Sequence, residues 1–264
     1  MNRFNTNKNR QNIFVILIIL VGLIALSNQR ISITDPENTY PKRIKRAFRL
    51  WLNPPQNDLE KHLIGKGIRC ADGENLYKKA AAATVVIKAD ESLGAGVLIG
   101  PRLVATAAHV VEGRNVEVFL PEVNEESLAR PGRSIKIRSI YPVQGLDLAF
   151  ISLQDTQDFW LDLEQSFKGD TRLMIVGHPN GKYYSLQKAR IKKKDLLESS
   201  SYVVFKDNEI FFGNSGGAIV DCDGQLVGVV SMMANFQNSH LKQGIGINSR
   251  TIAKFASRMK LRLN

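Results

Sequence analysis

Short apolar runs, separated by Gly, Pro, Asn and Asp, recur from residue 83 to residue 248. They are rich in Val and Ile, which suit a pleated surface, and too short for independent helices. They fall into two groups. The first comprises residues 83–89, 95–99, 103–106, 115–120, 134–141 and 147–153. The second comprises 172–177, 184–192, 202–205, 217–221, 225–231 and 243–248. Six short strands in each group predict an all-β fold of two six-stranded antiparallel β-barrels. The first barrel is expected over residues 78–155 and the second over 170–248. Residues 249–260 then read as a C-terminal α-helix, with Ser249 as the expected N-cap.

The N-terminal part has a different pattern. Residues 12–29 carry no charge, residues 13–26 are almost wholly aliphatic, and Arg3, Lys8 and Arg10 precede them. This predicts an N-terminal hydrophobic helix. Its apolar run of fourteen residues fits a signal-peptide core better than a full membrane span of about 20 residues. Ala25-Leu26-Ser27 offers small residues at the spacing of a cleavage site. Residues 1–29 are therefore expected to be a signal peptide or an uncleaved signal anchor. Basic residues on both sides of the run give no clear orientation. Its position close to the N-terminus favours export, to a periplasmic or other extracytoplasmic site.

Residues 30–77 are expected to form a basic extension. Within it Ile44, Ala47, Phe48, Trp51 and Leu52 recur at helical spacing among Lys42, Arg43, Lys45, Arg46 and Arg49. Such a basic amphipathic helix lies on an anionic membrane surface or packs against the protein body. Pro54-Pro55 ends it.

The 264 residues, 44% of them hydrophobic, allow one sizeable core plus extensions. The net charge is +11, and the first 60 residues hold nine Lys and Arg against four Asp and Glu. No basic sheet interleaved with aromatics and no zinc-ligand spacing accompanies this charge, so nucleic acid is not the expected partner. A membrane surface, reached through the N-terminal segment, fits better. His62, His178 and His240 are scattered, so no metal site is implied and no cofactor is expected. Cys70 and Cys222 are either one disulfide, as an even pair in an exported chain suggests, or two free thiols.

Three segments carry candidate chemistry. Gly213-Asn214-Ser215-Gly216-Gly217 places one serine among glycines ahead of an apolar strand. Glycines allow a tight bend in which backbone N–H groups face a ligand. Thr106-Ala107-Ala108-His109 ends a hairpin on a histidine, and Gly145-Leu146-Asp147-Leu148-Ala149-Phe150 puts one carboxylate at the head of an apolar strand. A carboxylate in such a strand needs a partner. Serine, histidine and aspartate are the residue types needed for a nucleophile, a general base and the group that orients the base.

These motifs, with Gln225-Leu226-Val227-Gly228-Val229-Val230-Ser231 and Gly244-Ile245-Gly246-Ile247 in the same order, resemble the trypsin-like serine proteases of the chymotrypsin fold. The bacterial Deg-type (high-temperature-requirement) proteases look closest, over residues 78–260. The resemblance implies a serine endopeptidase that cuts polypeptides through an acyl-enzyme, in envelope protein quality control or processing. It makes His109 the general base, Asp147 its orienter and Ser215 the nucleophile. The N–H groups of Gly213 and Ser215 become the oxyanion donors. Ser231 becomes the partner of the aspartate, and the backbone from Ser231 through Met232 to Met233 becomes the strand that pairs with substrate.

The chain also departs from the family pattern. Asn214 stands where digestive proteases carry the aspartate that captures a new N-terminus, so activation by propeptide cleavage is not expected. No PDZ domain is expected after the protease segment. Glu209 lies where an acid forms the base of the specificity pocket, or else it is a solvated loop residue. Deg relatives often form trimers, which makes a homotrimer an option here. The competing function is a catalytically silent or conditionally active binding protein on a protease fold.

Overall fold

The computed structural model describes residues 70, 73–123, 129–164, 172–191, 201–206, 213–235 and 242–263. All belong to one unit, Pro55–Asn264. The hydrophobic run at 12–29, the amphipathic stretch at 41–52 and Glu209 lie outside the described residues.

The first described element is a helix, α1 (Gly73–Ala83), which the strand pattern did not predict. Its sequence ends in four alanines, the residue with the best helix propensity. Glu74 sits in its first turn and pairs with Lys78 at 2.9 Å. Leu76, Tyr77, Ala80, Ala81 and Ala83 form its buried face. The helix runs across the expected start of the protease domain at Lys78. Small apolar residues between a basic stretch and a strand gave no periodic signal.

Seven strands form the first sheet: β1 (Thr84–Ala89), β2 (Ser92–Gly100), β3 (Leu103–Thr106), β4 (Val116–Glu122), β5 (Arg130–Ile135), β6 (Ile137–Pro142) and β7 (Ala149–Leu153). Their order is β5-β4-β1-β2-β3-β7-β6, antiparallel throughout. This corrects the expected six. The run 134–141, read as one strand, breaks at exposed Lys136. The part before the break pairs with β4 and the part after it with β7.

Six strands close the second barrel: β8 (Arg172–Gly177), β9 (Ser185–Ile191), β10 (Tyr202–Lys206), β11 (Ala218–Val220), β12 (Leu226–Asn235) and β13 (Lys242–Asn248), in the order β10-β13-β12-β11-β8-β9. β8 and β11 are buried on both faces. Successive residues of a strand point to opposite faces. Leu173, Ile175 and Ile219 accordingly enter the interior cluster of this barrel with Val203, Val227 and Val230. Met174, Val176, Ala218 and Val220 join the larger core, which contains Val86, Val104 and Phe150 of the first sheet. Double burial explains why these strands read as continuous apolar runs.

Residues 154–164 strap the barrels together: Leu161 N–H donates to Leu98 O at 3.0 Å and Leu226 N–H donates to Asp162 O at 2.8 Å. A disulfide joins Cys70, ahead of α1, to Cys222 in the turn between β11 and β12. Helix α2 (Ser249–Arg258) follows β13. Its N-cap is Asn248, whose side chain accepts from Thr251 N–H, and not Ser249 as expected. The Ser249 hydroxyl is spent on Glu164 O at 2.5 Å. Among the described residues, no helix is long and apolar enough to cross a membrane.

Candidate active site

His109 leaves β3 through Ala107 and enters a short 3-10 turn, Ala108–Val111. The turn is seated by Val110, whose methyls fill the space a side chain would need at Gly94. Asp147 sits in the tight link between β6 and β7, closed by Val143 N–H donating to Leu148 O at 2.8 Å. The carboxylate holds His109 twice. The His109 backbone N–H donates to Oδ1 at 3.1 Å, and the ring Nδ1 lies 3.0 Å from both Oδ1 and Oδ2. Because the carboxylate accepts, Nδ1 carries the proton, which leaves Nε2 as an acceptor. A third donor, Ser231 Oγ, reaches Oδ2 at 2.5 Å.

These contacts set the charges. Burial works to raise the Asp147 pKa, but the hydrogen bonds from the His109 ring, Ser231 and the His109 backbone outweigh it and hold it at about 2. The hydrogen bond from Asp147 raises the His109 pKa; burial opposes this, and the charges of Asp147 and Glu112 add to it. The imidazole side chain is 45% exposed and the carboxylate 15%, so the ring remains open to a reacting group.

Ser215 is placed from the other barrel by its backbone. Ala95 N–H donates to Ser215 O at 2.8 Å, and Gly216 N–H donates to Val230 O at 2.7 Å. Gly213 and Gly216 have φ of +92° and +80°, where a side chain is strained. A Cβ on Gly216 would stand 1.9 Å from Ala95 O. Thr106 Oγ1 fixes that carbonyl by donating to it at 2.7 Å. Thus the serine loop is pinned to the β2–β3 hairpin, three residues before His109.

Ser215 Oγ donates to Ser231 O at 3.3 Å and makes no hydrogen bond with the His109 ring. Ser231 therefore bridges the pair: its hydroxyl binds Asp147 and its carbonyl binds Ser215. Among the described residues, the N–H groups of Gly213 and Ser215 have no backbone acceptor. Met232 and Met233 pair with Ile245 and Gly244 of β13. β11, the other neighbour of β12, ends its pairing at Val229, and Gly216 and Gly217 bond Val230; past Val230 that edge of β12 has no described strand beside it.

The structure gives two residues contacts that the sequence did not assign to them. Asn214 is buried, and its amide donates to Gln187 Oε1 at 2.7 Å. His178, one of the scattered histidines, is fully buried. Burial pushes its pKa down to about 4, against the pull of the Val85 and Gly177 carbonyls. No local pattern points to the partners of either residue. The described residues contain no group of three or more His, Cys, Asp or Glu able to hold a metal ion.

A family model described as a trypsin-like peptidase domain matches residues 94–229. Among solved structures, the inactive form of the Rv3671c protease is similar, with a TM-score of 0.53 and 21% identity over 69% of this chain and 91% of that one. The active form of Rv3671c from M. tuberculosis has a TM-score of 0.57 and 20% identity over 71% and 85%. A serine endoprotease from Yersinia pestis has a TM-score of 0.56 and 19% identity over 70% of this chain and 65% of that chain. At these identities the likeness shows the fold. No curated protein matches the chain significantly.

Proposed function

The chain belongs to the trypsin-like peptidase family, and from that premise we propose that it is a serine endopeptidase acting through Ser215, His109 and Asp147. One observation carries the proposal. A single carboxylate binds the His109 ring, the His109 backbone and Ser231, and Ser231 in turn binds the Ser215 hydroxyl.

In this mechanism Ser215 Oγ turns from Ser231 O to His109 Nε2 and gives up its proton as it attacks the peptide carbonyl carbon. Asp147 stabilises the imidazolium, which then protonates the leaving amine. Water enters, loses a proton to the same nitrogen and releases the acyl group. The Gly213 and Ser215 N–H groups are the proposed donors to the oxyanion. The edge of β12 that faces away from β13 at Ser231 and Met232 would take an extended substrate as an added strand.

The Cys70–Cys222 disulfide supports an oxidising, extracytoplasmic compartment. Together with the apolar run at 12–29, it favours a role in envelope protein processing. Sequencing the N-terminus of the mature protein would decide between a cleaved leader and an anchor.

A second reading, a silent or conditionally active binder, draws on the Ser215 hydroxyl, which bonds to Ser231 O in place of the His109 ring. Catalytic hydrogen bonds often tighten only when substrate is bound. A fluorophosphonate probe separates the two readings. Labelling that disappears in Ser215→Ala supports the hydrolase. A purified, folded protein that no fluorophosphonate labels, with or without peptide, supports the binder.

A further inference from the structure

Outside the cluster around Ser215, His178 is a buried titratable residue that the mechanism does not use, and its backbone touches the loop that carries Ser215. His178 follows β8, in the turn leading to β9. Tyr184 N–H donates to its Nδ1 at 3.0 Å, and its Nε2 lies 3.2 Å from Val85 O. A backbone N–H can only donate, so Nδ1 is unprotonated and Nε2–H is the donor to Val85 O. One neutral tautomer thereby ties the turn of the second barrel to β1 of the first sheet.

The turn needs such a tie. Asn180 and Tyr184 have φ of +52° and +51°, a costly region for a bulky tyrosine. Tyr77 of α1 adds a hold by donating from its hydroxyl to Tyr184 O at 3.0 Å. The backbone of His178 then meets Gly213 in two ways. Its N–H donates to Gly213 O at 3.1 Å. Its carbonyl oxygen stands 2.2 Å from where a Gly213 Cβ would be. Among the described residues, His178 supplies the one backbone donor to the Gly213 carbonyl.

We infer that His178 is a positioning residue: its imidazole braces the 178–184 turn against the first sheet, and the backbone of that turn holds Gly213 so that its N–H faces the reacting carbonyl oxygen. The inference rests on the hydrolytic reading above. The titratable groups facing the ring are the phenols of Tyr183 and Tyr184 from its own turn, with Tyr77 of α1 bonded behind them. No described carboxylate or cation contributes to its charge state. A proton added at Nδ1 would oppose the Tyr184 N–H and release the turn.

The test uses full-length, 15N-labelled protein with His178→Ala and His178→Gln. In His178→Ala the Gly213 and Ser215 amide resonances should shift. Its kcat on a peptide substrate should fall about 100-fold, the usual cost of a lost oxyanion donor, with KM little changed. His178→Gln keeps an N–H directed at Val85 O and should recover about tenfold of that loss. Amides at their unchanged positions, or a kcat close to that of the unsubstituted protein, would overturn the inference. If neither variant folds, the unsubstituted protein decides it in an acid titration. The Gly213 amide must then move with the His178 ring, and movement with His109 alone refutes the idea. If the unsubstituted protein hydrolyses nothing, the hydrolytic reading fails, while the amide shifts still settle whether His178 holds Gly213.

Discussion

His109 and Asp147, on the first sheet, are held by side-chain charge and hydrogen bonding, whereas Ser215, on the second barrel, is held by its backbone. The carboxylate has three donors on it and a pKa of about 2. The serine loop has glycines at positive φ and main-chain bonds to Ala95 and Val230. The first half should respond to pH and to isosteric changes of charge. The second should ignore both and respond to a single added methyl group. Ser231 belongs to the second barrel but serves both halves.

The comparison is broken most severely from the charged side. Asp147→Asn keeps the size of the side chain and removes the charge that selects the His109 tautomer. The expected loss in kcat is about 10⁴-fold, as for such triads in general. Steady-state kinetics with an unchanged melting temperature would show that chemistry rather than folding was lost.

From the backbone side, Gly216→Ala should act on stability. Its Cβ would meet the backbone at Ala95 O, 1.9 Å away, with φ at +80°. A cost of about 3 kcal/mol or more is expected, read from denaturant unfolding. An unaltered midpoint would mean that the loop is not pinned to the hairpin as described.

Ser231→Ala removes one of the three donors to the carboxylate. A hydrogen bond to a charged group is worth about 1.5–3 kcal/mol, so kcat should fall roughly ten- to a hundredfold. The loss should be much smaller in the Asp147→Asn background, because both changes act through one group.

The smallest effect sharpens the comparison through pH. In the proposed mechanism the neutral imidazole is the base, so protonating His109 should abolish catalysis. Its pKa is raised above 6.5; the acid limb of kcat/KM should therefore have its midpoint above 6.5 in the unsubstituted protein. In Asp147→Asn the residual activity should show a lower midpoint, since the raising charge is gone. An unmoved midpoint would argue that Asp147 does not act on His109.

Legibility differed from element to element for physical reasons. Most strands could be read because alternation, Val and Ile content and Gly or Pro turns are local properties. Lys136 breaks a strand only because β4 and β7 claim the two sides. Helix α1 escaped because its alanines carry no periodic contrast. His109 and Ser215 stood out because small residues crowd around each of them, and Asp147 because it is one carboxylate at the head of an apolar strand. The direction of the Ser215 hydroxyl, toward Ser231 O, was not legible because its surroundings come from another strand. His178 escaped for the same reason: its partners include Val85, 93 residues away.

The linear order of residues alone determined the two groups of strands, the glycines at the serine loop and the residue types available for chemistry, since each depends on near neighbours. Only the folded chain decided which groups meet: the carboxylate with its three donors, the disulfide across 152 residues, and the backbone of buried His178 against Gly213. Hydrogen bonds and charges act over a few ångströms, and separation along the chain does not predict distance in space.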